Sequence, residues 1–216
     1  MAVMNVNPTR MELTRLKNKL VSLKRGHKIL KDKRDELMRQ FLLLVRENKE
    51  LRLKVENGIK KANLHMSLAG SVMSKEELDI ALMMPTQKVS LDVKKNVLMS
   101  VETPKYELKL KSPDKSDIYP YGLAFTSSEL DMSIKAVSDI LPDMLRLAEV
   151  EKTCQLLSAE IERTRRRVNA LEHVLIPQHE ETIKYISMKL DENERSTTTR
   201  LMKVKDMVLQ KSHSYI

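Results

Sequence analysis

The chain has 216 residues, of which 32% are charged and 3% aromatic, with a formal net charge of +9, four glycines and a single cysteine. No apolar run approaches the roughly 20 residues of a membrane span, no signal-peptide pattern opens the chain, and Cys154 alone excludes an intramolecular disulfide. So few aromatic side chains suit long helices better than a wide globular core. We therefore predict a soluble, cytoplasmic, mainly helical protein.

A leucine repeat organises residues 1–69. One row recurs every seventh residue, and a second row begins three residues before it with Leu13 and Leu20. The first row consists of Leu16, Leu23, Leu30, Leu37, Leu44 and Leu51. This 3–4 alternation predicts one helix over 10–69 whose seam packs lengthwise on another helix. At about 1.5 Å per residue such a helix is roughly 90 Å long, so it needs a partner of similar length.

Polar residues interrupt the second row at His27, Arg34 and Asn48. Polar seam residues weaken a coiled coil but fix its alignment, and we favour that role here. The alternative is that a third chain meets the helix at these positions. Gly58 falls on the leucine row, where it is expected to loosen the helix by about 1 kcal/mol relative to alanine.

The middle of the chain, residues 70–126, does not continue the long helical pattern of apolar residues. Ser74 and Glu77 have the spacing of a capping box, which predicts a short helix that ends by Pro85. Apolar residues then alternate with polar ones in two runs, so we predict two or three short strands that form a β-hairpin over 86–111. Because a lone hairpin is marginal in water, it should pack on the helices or on a neighbour.

A second long helical pattern fills residues 127–216. Thr126 and Glu129 match a capping box at its start. Pro142 is expected to bend or interrupt the helix, and a four-residue step in the apolar pattern predicts a bend near 173–177, before Pro177. The predicted seam of this half contains Leu157, Ile161, Val168, Leu171 and Leu175. The three segments together predict an antiparallel two-helix coiled coil with a small head.

The motifs of common enzyme chemistries are absent from the sequence. Glycine is too scarce for a phosphate-binding loop, and the five histidines show neither an HExxH pattern nor cysteine neighbours. Cys154 falls on the seam, where a small buried hydrophobic role is expected. We therefore predict no catalytic residue, no cofactor and no metal site.

The positive charge is concentrated on the first part of the N-terminal helix. A solvated helix surface and an acidic partner explain it about equally well. Nucleic acid is a weaker alternative, because almost no aromatic residue is present to stack on bases. A generic coiled-coil scaffold is a further alternative.

Several segments resemble the D subunit of the V-type (archaeal and vacuolar) ATPases. They are Asn7–Arg10 with the leucines that follow, LKRGHKILKDKRDELMRQF at 23–41, TRRRVNALEHVLIP at 164–177, and TIKYISMKLDENER at 182–195. The two halves occur in the order expected for that family, and only the start of 196–208 is more polar.

The resemblance implies a central rotor shaft that couples a ring of catalytic A and regulatory B subunits to ion transport in a membrane rotor ring. It implies contacts with those subunits, with a small F subunit and with another stalk subunit, and no bound nucleotide, nucleic acid or inserted membrane segment. We expect the F subunit near 41–62 and 136–160 and a regulatory role for the 86–111 hairpin. The transported ion, proton or sodium, would be set in other subunits. The residues expected to face the ring are Arg10, Lys17, Lys24, Arg25, Lys28, Arg200, Lys203 and Lys205.

Overall fold

The computed structural model describes residues 4–85, 87–110, 118–122 and 126–213. In chain order the elements are helix α1 (Arg10–Val72), helix α2 (Lys75–Leu82), strands β1 (Val89–Leu98) and β2 (Val101–Leu110), helix α3 (Ser128–Ala170), a π-helical turn (Leu171–Leu175) and helix α4 (Ile176–His213). The predicted fold class is confirmed: long N-terminal and C-terminal helices enclose a short helix and a two-stranded antiparallel hairpin.

The chain divides into two compact units. Unit 1 comprises Met1–Asp35 and Glu162–Ile216, and unit 2 comprises Glu36–Ile161. The long helices contribute to both, because α1 extends from Arg10 to Val72 and α3 from Ser128 to Ala170. The division into segments 1–69, 70–126 and 127–216 stays a prediction.

In unit 1, α1 packs antiparallel to α4. Arg10 at the start of α1 is paired with Glu194, and Lys24 further along α1 is paired with Glu180, which comes earlier in α4. The partner position therefore moves backwards along α4 as α1 advances.

In unit 2, α1 packs antiparallel to α3. Glu47 accepts hydrogen bonds from Arg146, and the Ser133 hydroxyl donates to the backbone oxygen of Ala62 at 3.1 Å. One cluster of buried side chains joins the two helices to the head, and a second joins them to the hairpin. The first contains Ala69, Met73, Ala81 and Leu130, and the second contains Leu37, Leu157 and Ile161.

Helix starts follow the capping chemistry closely. Thr9 accepts a hydrogen bond from the Glu12 amide at 3.3 Å, and Ser74 forms the full reciprocal capping box with Glu77. The predicted cap at Thr126 is wrong. Helix α3 begins at Ser128, and the hydroxyl of Ser127 accepts a hydrogen bond from the Glu129 amide. The capping-box spacing favoured Thr126, because Glu129 lies three residues after it, whereas Leu130 lies three residues after Ser127.

Pro142 does not interrupt α3, which continues from Ser128 to Ala170. A proline inside a helix costs about 3 kcal/mol or more. The neighbouring Ile140 lies directly against Gly58 of α1, so this part of α3 packs closely on α1, and the bend at Pro142 stays a prediction.

The predicted irregularity before Pro177 is a π-helical turn over Leu171–Leu175. The amide of Ile176 donates to the backbone oxygen of Leu171, five residues earlier. Such a turn inserts one residue into the α-helical pattern. A proline has no amide for the regular ladder, so a widened turn just before it is a local solution. The bend itself stays a prediction.

The hairpin joins Leu98 to Val101 through a two-residue turn in which Met99 and Ser100 both have positive φ, 50° and 71°. Positive φ at both positions matches the twist of the strands but disfavours side chains other than those of glycine and asparagine. Leu98, Met99 and Val101 pack against the cluster around Leu37. The hairpin thus rests on the long helices, as predicted, and this packing holds the strained turn.

Candidate partner-binding surface

The predicted seam residues differ in burial. Leu16, Leu37, Leu157, Ile161 and Val168 are buried, whereas Leu23, Leu30, Leu44, Leu51 and Leu171 are half-buried.

Leu175, which was placed on the seam by the heptad pattern, is 37% exposed instead. The π turn changes the phase of the helix there. His179 and Thr182 occupy the buried positions that follow.

Two of the predicted partner-binding cations are used within the chain. Arg10 is paired with Glu194, and the Lys24 ammonium lies 2.7 Å from the Glu180 carboxylate. Both contacts join α1 to α4 at the surface of unit 1. Arg10 and Lys24 therefore contribute to the contact between the two helices, and their role in binding a partner stays a prediction.

The other predicted cations point outward. Lys17, Arg25 and Lys28 on α1 are exposed, and none forms an ion pair with any residue in the described part of the chain. Arg200, Lys203 and Lys205 are exposed on α4, beyond the residue that meets the start of α1. All eight predicted cations are thus exposed in unit 1, and six of them form no ion pair within the described part of the chain.

The net charge of the protein resides in unit 1. Its two segments contain 21 lysines and arginines against 11 aspartates and glutamates, whereas unit 2 contains 18 against 19. Unit 1 therefore carries a formal charge of +10, and unit 2 carries −1. A charge of this size on one unit creates a long-range field that attracts acidic surfaces.

Acidic residues of α4 were not singled out from the sequence as contacts of α1. Glu180 and Glu194 are separated by fourteen residues, as are Arg10 and Lys24. Matching two-heptad spacings of opposite charge on two antiparallel helices would have predicted the pairs. Glu172 adds a third contact, with its carboxylate 3.4 Å from His27 Nε2. Nε2 of His27 has no hydrogen-bond partner among the described residues, so the alignment role of the polar seam residues stays a prediction.

The N-terminal segment before α1 also contacts α4. The amide of Met4 donates to the hydroxyl of Thr182 at 3.2 Å, and that hydroxyl donates to the backbone oxygen of Gln178 at 2.6 Å. Thr182 is fully buried. Nothing in the sequence pattern indicated this contact.

Unit 2 exposes apolar side chains on both α1 and the hairpin. On α1, Met38, Leu42, Val45 and Leu53 are each 40–52% exposed at helical spacing. The hairpin exposes Val89, Leu91, Val93 and Val97, which alternate along β1 and so share one face. An apolar groove of about 440 Å³ lies between α1, α3 and the start of the hairpin, next to Met66, Leu82 and Ile134.

Ion pairs cross the hairpin on the other face. A hydrogen bond from Lys109 lowers the pKa of Asp92, and one from Lys94 lowers the pKa of Glu107. These pairs alternate in sign along neighbouring positions and thus specify the strand register.

Cys154, the single cysteine of the chain, lies partly buried on α3. Burial raises the pKa of Cys154, with smaller contributions from Glu47 and Glu151, so its thiol holds less thiolate than a free cysteine. Within the described ranges, no group of three histidine, cysteine, aspartate or glutamate side chains is arranged to hold a metal ion. In the same ranges, no helix is both long and apolar enough to cross a membrane.

These features define a class of protein: an antiparallel coiled coil with a hairpin-bearing head and a strongly basic helix pair. The family model for the ATP synthase D subunit matches residues 12–206. The V-type ATP synthase D subunit of Acetivibrio thermocellus is 62% identical over 215 residues, covering 100% of this chain and 97% of the relative. The D subunit of Clostridioides difficile is 61% identical over 212 residues, with 98% and 95% coverage, and that of a Thermoanaerobacter species is 55% identical over 210 residues, with 97% and 100% coverage. The chain belongs to the family of ATP synthase D subunits.

Proposed function

We propose that this chain is the non-catalytic central rotor shaft of a V-type ATP synthase. It belongs to the cytoplasmic sector and is peripheral to the membrane. It transmits rotation between the ring of A and B subunits and, through another stalk subunit, the membrane rotor ring. Membership in the family of D subunits, together with a fold of long paired helices, supports this role. The chain itself neither binds nucleotide nor inserts into the membrane.

We propose further that unit 1 is the end that enters the ring. The observation that carries this is the segregation of charge: unit 1 holds +10, and its outward cations include Lys17, Arg25 and Lys28. These cations would attract acidic loops of the ring over several ångströms. Because such attraction does not hold the shaft strongly at any one angle, the shaft can turn while it stays centred.

The shaft acts by making different contacts with each catalytic interface of the ring. Its cross-section in unit 1 is asymmetric, with cations outward on α1 and carboxylates of α4 beside them. In a ring with three catalytic interfaces, each interface then meets a different side of the shaft. The shaft biases the conformation at each interface only by the difference in contact free energy, and about 1.4 kcal/mol changes a ratio of conformers tenfold.

The test removes outward cations from unit 1 and compares the result with an equal charge change in unit 2. Replacing Lys17, Arg25 and Lys28 with alanine should weaken binding to a ring assembled from A and B subunits about tenfold at low salt, and less at high salt. The control replaces Lys75, Lys88 and Lys135, which are exposed in unit 2. Equal effects of the two triple variants at every salt concentration would contradict the assignment of unit 1 to the ring.

A second proposal places the F subunit on unit 2, near 41–62 and 136–160. Its support is the exposed apolar row on α1, including Leu42, Val45 and Leu53, together with Met144 on α3. Exposed apolar residues in a row are typical of a protein contact. Crosslinks from the F subunit should reach these residues, and crosslinks confined to 10–30 would exclude the proposal.

A third proposal gives the hairpin a regulatory role. Its support is the exposed apolar face of β1, which a neighbouring subunit could cover. Replacing Leu91 and Val93 with threonine keeps strand propensity but removes apolar surface. We expect a changed ATPase rate of the assembled complex or weaker binding of the F subunit, and no change in either would rule the role out.

The alternatives from other classes have direct tests. A scaffold unrelated to the ATP synthase would not co-purify in one copy per ATP-hydrolysing hexamer. A nucleic-acid-binding protein would shift random-sequence DNA at physiological salt, with a steep dependence on salt concentration.

A further inference from the structure

The two units differ in the kinds of side chain that are buried between their helices. Among the described residues of unit 1, three apolar side chains are buried, and three polar side chains are buried beside them. The apolar ones are Leu16, Val168 and Ile186, and the polar ones are Thr164, His179 and Thr182.

Unit 2 has a larger apolar interior. Both clusters of mutually packed buried side chains lie within it. Ten of its described apolar residues are buried: Leu37, Val55, Ala62, Ala69, Met73, Ala81, Leu130, Val150, Leu157 and Ile161. Gly58 allows α1 and α3 to approach each other closely, because the Ile140 side chain occupies the space that a side chain at position 58 would need.

Contacts of unequal kind stabilise the two units. Burial contributes roughly 25 cal/mol for each Å² of apolar surface removed from water, whereas a buried hydroxyl contributes little beyond its own hydrogen bond. Cross-helix ion pairs occur in both units, at Arg10 and Lys24 in unit 1 and at Arg146 in unit 2. Because unit 1 buries fewer apolar side chains, its ion pairs form a larger share of its helix contacts. Exposed ion pairs are weak, and salt screens them.

We infer that unit 1 opens as a separate local step, in which α1 and α4 part or shift while unit 2 stays folded. The polar buried row makes this step less costly than opening unit 2, and salt makes it less costly still. A consequence rests on the proposed function: the ring completes the burial of unit 1, so the shaft adapts to each interface by adjusting its helix pair.

Native-state hydrogen exchange of the full chain tests the inference without a partner. Amides of 16–30 and 179–190 should exchange at least about tenfold faster than amides of 44–62 and 145–157. Raising the salt concentration should accelerate exchange in the first set more than in the second, which also contains one exposed cross-helix pair, Arg146 with Glu47. Equal exchange in both sets, or a salt effect of equal size on both, would overturn the inference.

A variant locates the cause. Replacing Thr164 with valine turns a buried polar position apolar, and exchange in unit 1 should slow by about tenfold. The matched control is Thr153→Val in unit 2, where a buried threonine donates to the backbone oxygen of Glu149. It should leave exchange in unit 1 unchanged. Unchanged exchange in Thr164→Val, with circular dichroism like that of the parent, would refute the role of the buried polar residues.

Measuring exchange with the ring present tests the assignment of unit 1 to the ring separately from the local opening of unit 1. Adding a ring of A and B subunits should slow exchange in unit 1 more than in unit 2. Protection of unit 2 alone would contradict the assignment of unit 1 to the ring but would leave the local opening of the free chain as measured.

Discussion

Replacing Gly58 with alanine probes the closest approach of α1 to α3. A methyl group at position 58 would lie 2.5 Å from Cδ1 and 2.6 Å from Cγ1 of Ile140. Ordinary carbon contacts are about 3.5–4.0 Å, so the two helices or the Ile140 side chain must move by about 1 Å. Overpacking of this kind costs about 1–3 kcal/mol.

Helix propensity acts in the opposite direction, because alanine is favoured over glycine by about 1 kcal/mol inside a helix. The net expectation is destabilisation of about 0–2 kcal/mol. The measurement is urea unfolding followed by circular dichroism. Gly26→Ala is the control, since nothing lies within 4 Å of the corresponding methyl position in the same helix. It should stabilise the protein by about 1 kcal/mol.

A double-mutant cycle isolates the contact. Ile140→Ala removes both atoms that the new methyl group would meet. In that background Gly58→Ala should stabilise the chain, and the coupling between the two changes should be about 1–3 kcal/mol. If Gly58→Ala stabilises the chain equally in both backgrounds, the close approach is not a constraint and the reasoning fails.

Three further predictions concern the head. Ser100→Gly should stabilise the hairpin by about 1 kcal/mol, because Ser100 has φ of 71°; thermal unfolding measures it, and a lower Tm would contradict it. Ser74→Ala should destabilise α2 by about 1 kcal/mol through loss of the capping box, seen as faster amide exchange in Lys75–Leu82 and not in α3. Burial and the hydrogen bond to Asp131 raise the pKa of Tyr121 above its usual value near 10, so the folded state favours the neutral phenol. The resulting stability is fully present below about pH 10 and is lost as the pH rises above it; Tyr121→Phe should remove this loss, and identical pH profiles for parent and variant would argue against it.

The sequence predicts the parts of the fold that repeat or have a local chemical signal. The heptad rows predicted α1 and the antiparallel pairing, and Ser74 with Glu77 predicted α2 because a capping box needs only local atoms. Pro142 does not interrupt α3, and the bend that it predicts stays a prediction. The contact of Ile140 with Gly58 joins residues 82 positions apart. Long-range packing of this kind leaves no local trace.

The candidate surface was predicted less completely than the fold. Charge density pointed to the basic helix, but it could not distinguish cations that face α4, such as Lys24, from those that face outward, such as Lys28. That distinction depends on the rotation of each helix about its axis. Thr182 was missed for a related reason, since a threonine in a charged helix carries no sign that an N-terminal amide will reach it.

The widened turn at Leu171–Leu175 has a consequence for how relatives of this chain should be compared. One surplus residue rotates everything that follows by about 100°, so a single heptad frame cannot describe both sides of it. A homologue that lacks the surplus residue would present a different face of its last helix to α1, even if the rest of its sequence were identical. The placement of one alignment gap therefore determines which side chains face inward along the whole of α4.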